Sequence, residues 1–201
     1  MSAPGLLIAT SNRGKLREVR AILEGTAIEL RTLDEFPDIA EAIEDGATFE
    51  ENARMKALHY HHLTGLSTLA DDSGLEVDAL NGAPGVHSAR FAGKQGDDAA
   101  NNAKLVALLR GVPSERRTAR FHCVMALAHG GRIAATTHGC VEGLIIDNPV
   151  GEQGFGYDPH FFLPDLAQTK AELSLEVKNR ISHRGLALRA ILPAIHRTLS
   201  I

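Results

Sequence analysis

The chain has 201 residues, 44% of them hydrophobic and 23% charged, with a formal net charge of -4. That length can bury a sizeable core. The absence of a basic excess argues against a nucleic-acid polymer as partner and leaves a small nucleotide open. Only two cysteines, Cys123 and Cys140, are present, far apart and in apolar runs, so buried thiols in a reducing compartment are expected rather than disulfides. No apolar stretch is long enough to cross a bilayer, and Met1-Ser2-Ala3-Pro4-Gly5 lacks the basic start of a signal peptide. A cytoplasmic location is the expectation.

Leu6–Thr10 reads as a short apolar strand, followed by a helix whose Leu16, Val19, Ile22 and Leu23 share a face. The junction is Thr10-Ser11-Asn12-Arg13-Gly14-Lys15. It is either an N-cap with an exposed lysine or a phosphate seat, where helix N–H groups and Lys15 face an anion. The glycine spacing of a Walker A loop is absent. Ile28–Leu33 reads as a second strand. Glu41, Glu44 and Asp45 then precede Gly46, as a solvated acidic turn or as the source of a metal-binding carboxylate, Glu44.

Thr48-Phe49-Glu50-Glu51 is a capping box that opens a helix to about Thr64, with Gly65 as its stop. Lys56 within it either snorkels or reaches a phosphate. His59, His61 and His62 read as surface histidines, because no further ligand stands at metal-binding spacing.

Ser67–Ala70 predicts a strand that delivers Asp71-Asp72-Ser73-Gly74 at its end. Adjacent carboxylates repel, and one of them usually needs a cation. The tetrapeptide is either an ordinary turn or a centre for phosphate and Mg²⁺, which binds through one or two carboxylates plus substrate phosphates. Leu75–Leu80 alternates apolar and polar up to an Asn81-Gly82 turn.

Asp98–Arg110 has helical spacing, with Gly111 ending it. Ala119–Ala128 and Ile133–Ile146 flank Gly130-Gly131, a strong hairpin signal. Gly151–Pro159 is a glycine-rich loop holding Phe155 and Tyr157, two of only nine Phe and Tyr (seven and two) in the chain. Their place in a loop suggests stacking on a base rather than routine core. Ser182-His183-Arg184-Gly185 opens the last helix, as an N-cap with exposed polar residues or as donors to a purine carbonyl, joined by Lys178. Pro193 is expected to kink or break that helix. Interleaved strands and helices followed by a long hairpin predict an α/β fold. Its architecture is a mixed central sheet flanked by helices, in one domain over residues 1–201, and two lobes around that sheet with a cleft between them suit the pattern.

Five strings in order, ATSNRGKLREV, EDGATFEENARMKA, ADDSGLEVDALNGAPGVHSARFAG, GFGYDPHFF and SHRGLALR, resemble the inosine-triphosphate pyrophosphatase family along nearly the whole chain. The resemblance implies an elongated α/β fold with an active-site cleft between two lobes, and a homodimer that hydrolyses ITP, dITP and XTP to the monophosphate and pyrophosphate with Mg²⁺. It implies that Thr10, Ser11, Asn12, Arg13, Gly14 and Lys15 form the phosphate-binding segment, with no special role for Arg13. Glu44 and Asp72 match metal ligands, Asp72 also the general base, and Ser73 a substrate contact. Phe155, Gly156, Tyr157 and Asp158 match the base-side loop, completed by Lys178, His183 and Arg184. Two other readings are a Mg²⁺ phosphohydrolase releasing orthophosphate and a nucleotide-binding regulator without catalysis.

Overall fold

The computed structural model describes residues 5–201, so most of the Met1–Gly5 segment lies outside the described residues. The chain forms β1 (Gly5–Ile8), α1 (Arg13–Leu23), β2 (Glu29–Thr32), α2 (Phe49–Thr64), β3 (Ser67–Val77) and α3 (Asp98–Leu108). The hairpin strands β4 (Thr118–His129) and β5 (Arg132–Ile145) come next, then β6 (Phe161–Leu163), β7 (Gln168–Thr169), α4 (Leu175–Ile181) and α5 (His183–Leu199). All seven strands join one open sheet in the order β2-β1-β3-β4-β5-β6-β7. It is mixed, since β1 runs parallel to β2 and β3 while β6 is antiparallel to β5 and β7.

The chain divides into two compact units, and three strands, β3, β4 and β5, run through both. The first unit holds the residues through Asp72, Cys123–Gly139 and His183–Ile201. Alternation along β1 sends Leu6 and Ile8 to one face and Leu7 and Ala9 to the other. The first face packs with Val19 and Leu23 of α1 and Leu188, Ile191 and Ile195 of α5. The second packs with Ala53, Ala57 and Tyr60 of α2. The second unit, Ser73–His122 and Cys140–Ser182, has its own core of Leu75, Leu105, Phe121, Ile145, Tyr157 and Phe161 among others.

Capping places α2 where its sequence predicts. Thr48 Oγ1 accepts from Glu51 N at 3.1 Å, Glu51 Oε2 accepts from Thr48 N at 3.2 Å, and Gly65 closes the helix at φ 71°. At the hairpin tip both Gly130 and Gly131 have positive φ, as a tight two-residue turn requires.

Several expectations change. Asp71-Asp72-Ser73-Gly74 is neither a turn nor a strand end; β3 runs unbroken through it for 11 residues. The expected strand Leu75–Leu80 ends at Val77, and a 3-10 turn over Asp78–Leu80 leads to Asn81 at φ 53°. Pro193 does not break α5, which continues from His183 to Leu199. His61 is buried rather than on the surface: its ring nitrogens contact Leu66 O at 2.6 Å and the hairpin's Gly131 N at 2.9 Å. Cys140 is only half-buried, and both cysteines are free thiols.

Candidate active site

In the first unit, the period-two alternation of β3 gives its adjacent aspartates different partners. Asp71 lies on the α1–α5 side, where Lys15 Nζ is 3.0 Å from its Oδ2 and Arg184 Nε is 3.4 Å from the same atom. Lys15 reaches it from the first turn of α1, whose N-cap Asn12 accepts from Lys15 N at 3.0 Å. Arg184 comes from the start of α5 and also bonds Glu18 at 2.5 Å. Burial acts to raise the Asp71 carboxyl, but Lys15, Arg184 and Lys56 outweigh it and hold the group well below the usual carboxylate range. Asp71 is therefore a fixed anion that braces cations.

Asp72 points to the α2 side. Its Oδ2 accepts a hydrogen bond from Asn52 Nδ2 at 3.0 Å. Burial raises its carboxyl above the ordinary value; Lys15, Lys56 and Asn52 oppose this incompletely, and Glu44 adds to the rise. A carboxylate made more basic by desolvation is suited to accept a proton. The two neighbours thus carry different chemistry because their environments differ.

The face of α2 that meets this site combines Asn52 and Lys56 at a spacing of four residues. Asn52 is 1% exposed and also accepts from Gly46 N through Oδ1 at 2.8 Å. It thereby ties the acidic Glu44-Asp45-Gly46 segment to Asp72. Gly46 has to be glycine for this, because an added Cβ would lie 2.8 Å from both Asn52 Oδ1 and Glu51 Cβ. Lys56 Nζ bonds Glu44 Oε1 at 3.0 Å. Burial works against its charge, but Asp71, Glu44 and Asp72 outweigh burial and raise its pKa. Lys56 is thus held among carboxylates as a cation.

Among the described residues no group of three or more His, Cys, Asp or Glu is arranged to hold a metal ion. Mg²⁺ needs no such group, because it takes one or two carboxylates and fills its remaining positions with water and phosphate. The donors at hand are oxygens, on Asp72 and Glu44; Asn52 bonds both Asp72 and Gly46, and Lys56 of the same helix bonds Glu44. These residues fit the ion.

In the second unit, the glycine-rich loop is pinned from several directions. Gly156 N donates to Asp98 Oδ2 at 2.7 Å, and Asn102 Nδ2 donates to Gly156 O at 2.9 Å. Asp158, 3% exposed, accepts from Phe155 N at 3.1 Å and forms ion pairs with Lys170 and Lys178. Burial pushes its carboxyl up, but the two lysines prevail and lower it. Gly154 stands at φ 90°, and a Cβ there would collide with Asp158 Oδ2 and Lys178 Nζ. Phe155 remains half-exposed, with Lys178 Nζ 5.5 Å from its ring centroid.

Placement separates the candidates. Lys15, Glu44, Asp72 and Arg184 belong to the first unit's charged cluster; Thr10, Ser11 and Asn12 lead into α1, and Arg13 and Gly14 are its first residues. Phe155, Gly156, Asp158 and Lys178 form the second unit's loop cluster. Ser73 opens that unit's part of β3, and His183, buried at 4% exposure, opens α5 in the first. Two aromatics were expected at a base, but Tyr157 is core: it packs with Leu75, Phe121 and Phe161, and its hydroxyl donates to Ser88 O at 2.8 Å. Arg184, expected to donate to a purine oxygen, is 1% exposed and engaged by Glu18 and Asp71. Asn52, Glu18 and Lys170 were not anticipated. The first two had a sequence signal, one helical turn from Lys56 and from Lys15; Lys170 had none.

The Ham1 family profile matches residues 6–194. A dITP/XTP pyrophosphatase from Desulforamulus reducens is 52% identical over 192 residues, 96% of each chain. Another from Geobacter sulfurreducens is 55% identical over 183 residues, covering 91% of this chain and 92% of that one. The solved structure of a HAM1 protein from Coxiella burnetii superimposes with a TM-score of 0.86 at 41% identity, covering 96% of this chain and 99% of that one. With sequence and fold agreeing over nearly its whole length, the chain belongs to the Ham1 family.

Proposed function

We propose that the chain hydrolyses the non-standard purine nucleoside triphosphates ITP, dITP and XTP to the nucleoside monophosphate and pyrophosphate. The relatives' shared name, dITP/XTP pyrophosphatase, supports this reading. The observation that carries it is the division of labour between Asp71, paired with cations, and Asp72, held by an amide and made more basic by burial. Asp72 accepts a proton from the attacking water and orients it in line with phosphorus. Lys15 and Lys56 offset phosphate charge, and the Thr10–Gly14 turn offers hydroxyl and amide donors. Asp72 and Glu44 would hold Mg²⁺, which when bound stabilises charge on the pyrophosphate leaving group.

Phe155 offers a face for the purine ring, a contact worth roughly 1–3 kcal/mol per base. Lys178, beside Phe155, offers its ammonium hydrogens as donors to the 6-oxo oxygen that hypoxanthine and xanthine share and adenine lacks. Adenine would leave those donors unpaired, and such mismatches discriminate strongly. Ser73 contacts the sugar–phosphate part of the substrate. Arg184 acts through Asp71, which it braces. A homodimer in the cytoplasm completes the reading. The resemblance supports the dimer and the two free thiols support the compartment; no described helix is long and apolar enough to cross a membrane.

The test is to incubate the protein with ITP and Mg²⁺ and identify the products. IMP with pyrophosphate is expected. IDP with orthophosphate would replace the reading by a different phosphohydrolase, and intact ITP by a binding protein.

A further inference from the structure

Phe155 stands between Gly154 at φ 90° and Gly156 at φ 62°. Glycines on both sides leave the ring's direction open as far as the backbone is concerned. The direction is set instead by what grips Gly156, and both grips come from one helix. Asp98 and Asn102 are four residues apart at the start of α3, and so share a face. Asp98 Oδ2 accepts from Gly156 N at 2.7 Å, and Asn102 Nδ2 donates to Gly156 O at 2.9 Å. The two peptide groups that meet at Gly156 are thus each held by a side chain.

The two roles are not interchangeable. The Asp98 carboxylate can only accept. Asn102 gives its other amide hydrogen to Asp98 O at 2.9 Å, while its Oδ1 is buried and takes no hydrogen bond from a described residue. Turning the amide over would set that oxygen against two carbonyls, which fixes the donor side toward the loop. Beyond Gly156, Tyr157 is core and its hydroxyl donates to Ser88 O at 2.8 Å. Phe155 is therefore the ring that the loop presents. Neither Asp98 nor Asn102 is a core residue: the first is exposed and the second half-buried. Their bonds to the loop contribute little to holding the unit together and much to aiming one side chain.

We propose that Asp98 and Asn102 are positioning residues for the base: by gripping both polar groups of Gly156 they hold Phe155 in the orientation in which it stacks on the purine ring. They touch no substrate and act through Phe155. This rests on the reading of Phe155 as the base-stacking face of a nucleotide pyrophosphatase. A ring already in place does not have to be ordered when the nucleotide binds, so the clamp strengthens binding without a contact of its own. Its effect belongs in KM, since the water and phosphorus at Asp72 are not involved.

The experiment measures kcat and KM for ITP with Mg²⁺, and inhibition by pyrophosphate, in the wild type and in variants. Asn102→Asp keeps the shape but has no hydrogens to donate. Its KM for ITP should rise about fivefold, on the order of one neutral hydrogen bond, with kcat unchanged. Asp98→Ala should do the same, whereas Asp98→Asn keeps an oxygen for Gly156 N and should retain the wild-type KM. Pyrophosphate has no base to stack, so its inhibition constant should not move in any of them. Phe155→Ala should raise KM by itself, and adding Asn102→Asp to it should raise KM no further, because the two act through one ring. If Asn102→Asp does not fold, Asn102→Ala takes its place with the same expectation. A KM for ITP that stays at the wild-type value in the Asn102 variant would overturn the proposal. So would a rise that pyrophosphate shares, or one that persists in full beside Phe155→Ala, since either gives Asn102 a merely structural role. If Phe155→Ala leaves KM unchanged, or the wild type releases no pyrophosphate from ITP, the underlying reading fails and this inference with it. If Phe155→Ala raises KM and the Asn102 variant does not, only this inference fails.

Discussion

Asp71 and Asp72 share a peptide bond but not an environment, and each side chain around them can be assigned a distinct consequence. Asp72→Asn keeps the hydrogen bond site for Asn52 but removes the proposed base and one proposed metal ligand. Its kcat should drop by about 10²-fold or more, the usual contribution of a general base, with an unchanged thermal midpoint; near-normal turnover would remove Asp72 from its role. Arg184→Met should behave in the opposite way. Removing one member of a buried ion pair costs about 3–5 kcal/mol, so urea denaturation should show a large loss of stability. The preference for ITP over ATP should persist; a stable variant that loses it would return Arg184 to reading the base. The residue types of Asp72, Glu44 and Lys15 mark them in the sequence as candidates for metal and phosphate chemistry. The sequence does not make Arg184's partners legible, since Glu18 lies 166 residues away along the chain. Only the packing of α5 beside α1 brings them together.

At the scale of elements, α2 was readable to the residue because capping is local: Thr48, Glu51 and Gly65 specify both ends. β3 was misread because two consecutive aspartates and a glycine look like a turn. In place, Lys15 and Arg184 meet Asp71, Asn52 meets Asp72, and the ladder continues. Tertiary partners overrode a local preference. Close packing between β5 and α5 provides a test at this scale. A Cβ on Gly139 would collide with His183 O and lie 2.7 Å from Ala187 N. Gly139→Ala should therefore push the first turn of α5 outward and cost about 1–3 kcal/mol, the range for overpacking. Since that turn carries His183 and Arg184, kcat/KM for ITP should fall as well. Denaturation and steady-state kinetics on one preparation check both, and a variant of wild-type stability would refute the close approach.

For the molecule as a whole, chelation and acid are the informative perturbations. Excess EDTA should abolish ITP hydrolysis and added Mg²⁺ restore it; full activity in EDTA would exclude the metal. Asp158 has a carboxyl lowered in the folded protein, so its stabilisation is complete above its unfolded value of about 3.9 and drains away as pH falls further. The melting temperature should therefore decline below about pH 4 in the wild type. In Asp158→Asn it should be lower at neutral pH, with two buried lysines unpaired, and less dependent on acid. Parallel curves would deny Asp158 this part. The α/β class and the mixed sheet followed from alternating strand and helix patterns, whereas the points at which the chain passes from one compact unit to the other did not, because no linker composition marks them. Those passages occur at Asp72/Ser73, His122/Cys123, Gly139/Cys140 and Ser182/His183. On the ribosome this order has a cost. Asp71 emerges 113 residues ahead of Arg184, and the first unit lacks its closing helix until synthesis is nearly complete. A nascent chain released before His183 would hold its paired aspartates with no guanidinium to receive them, and proteolysis of such fragments is the expected fate.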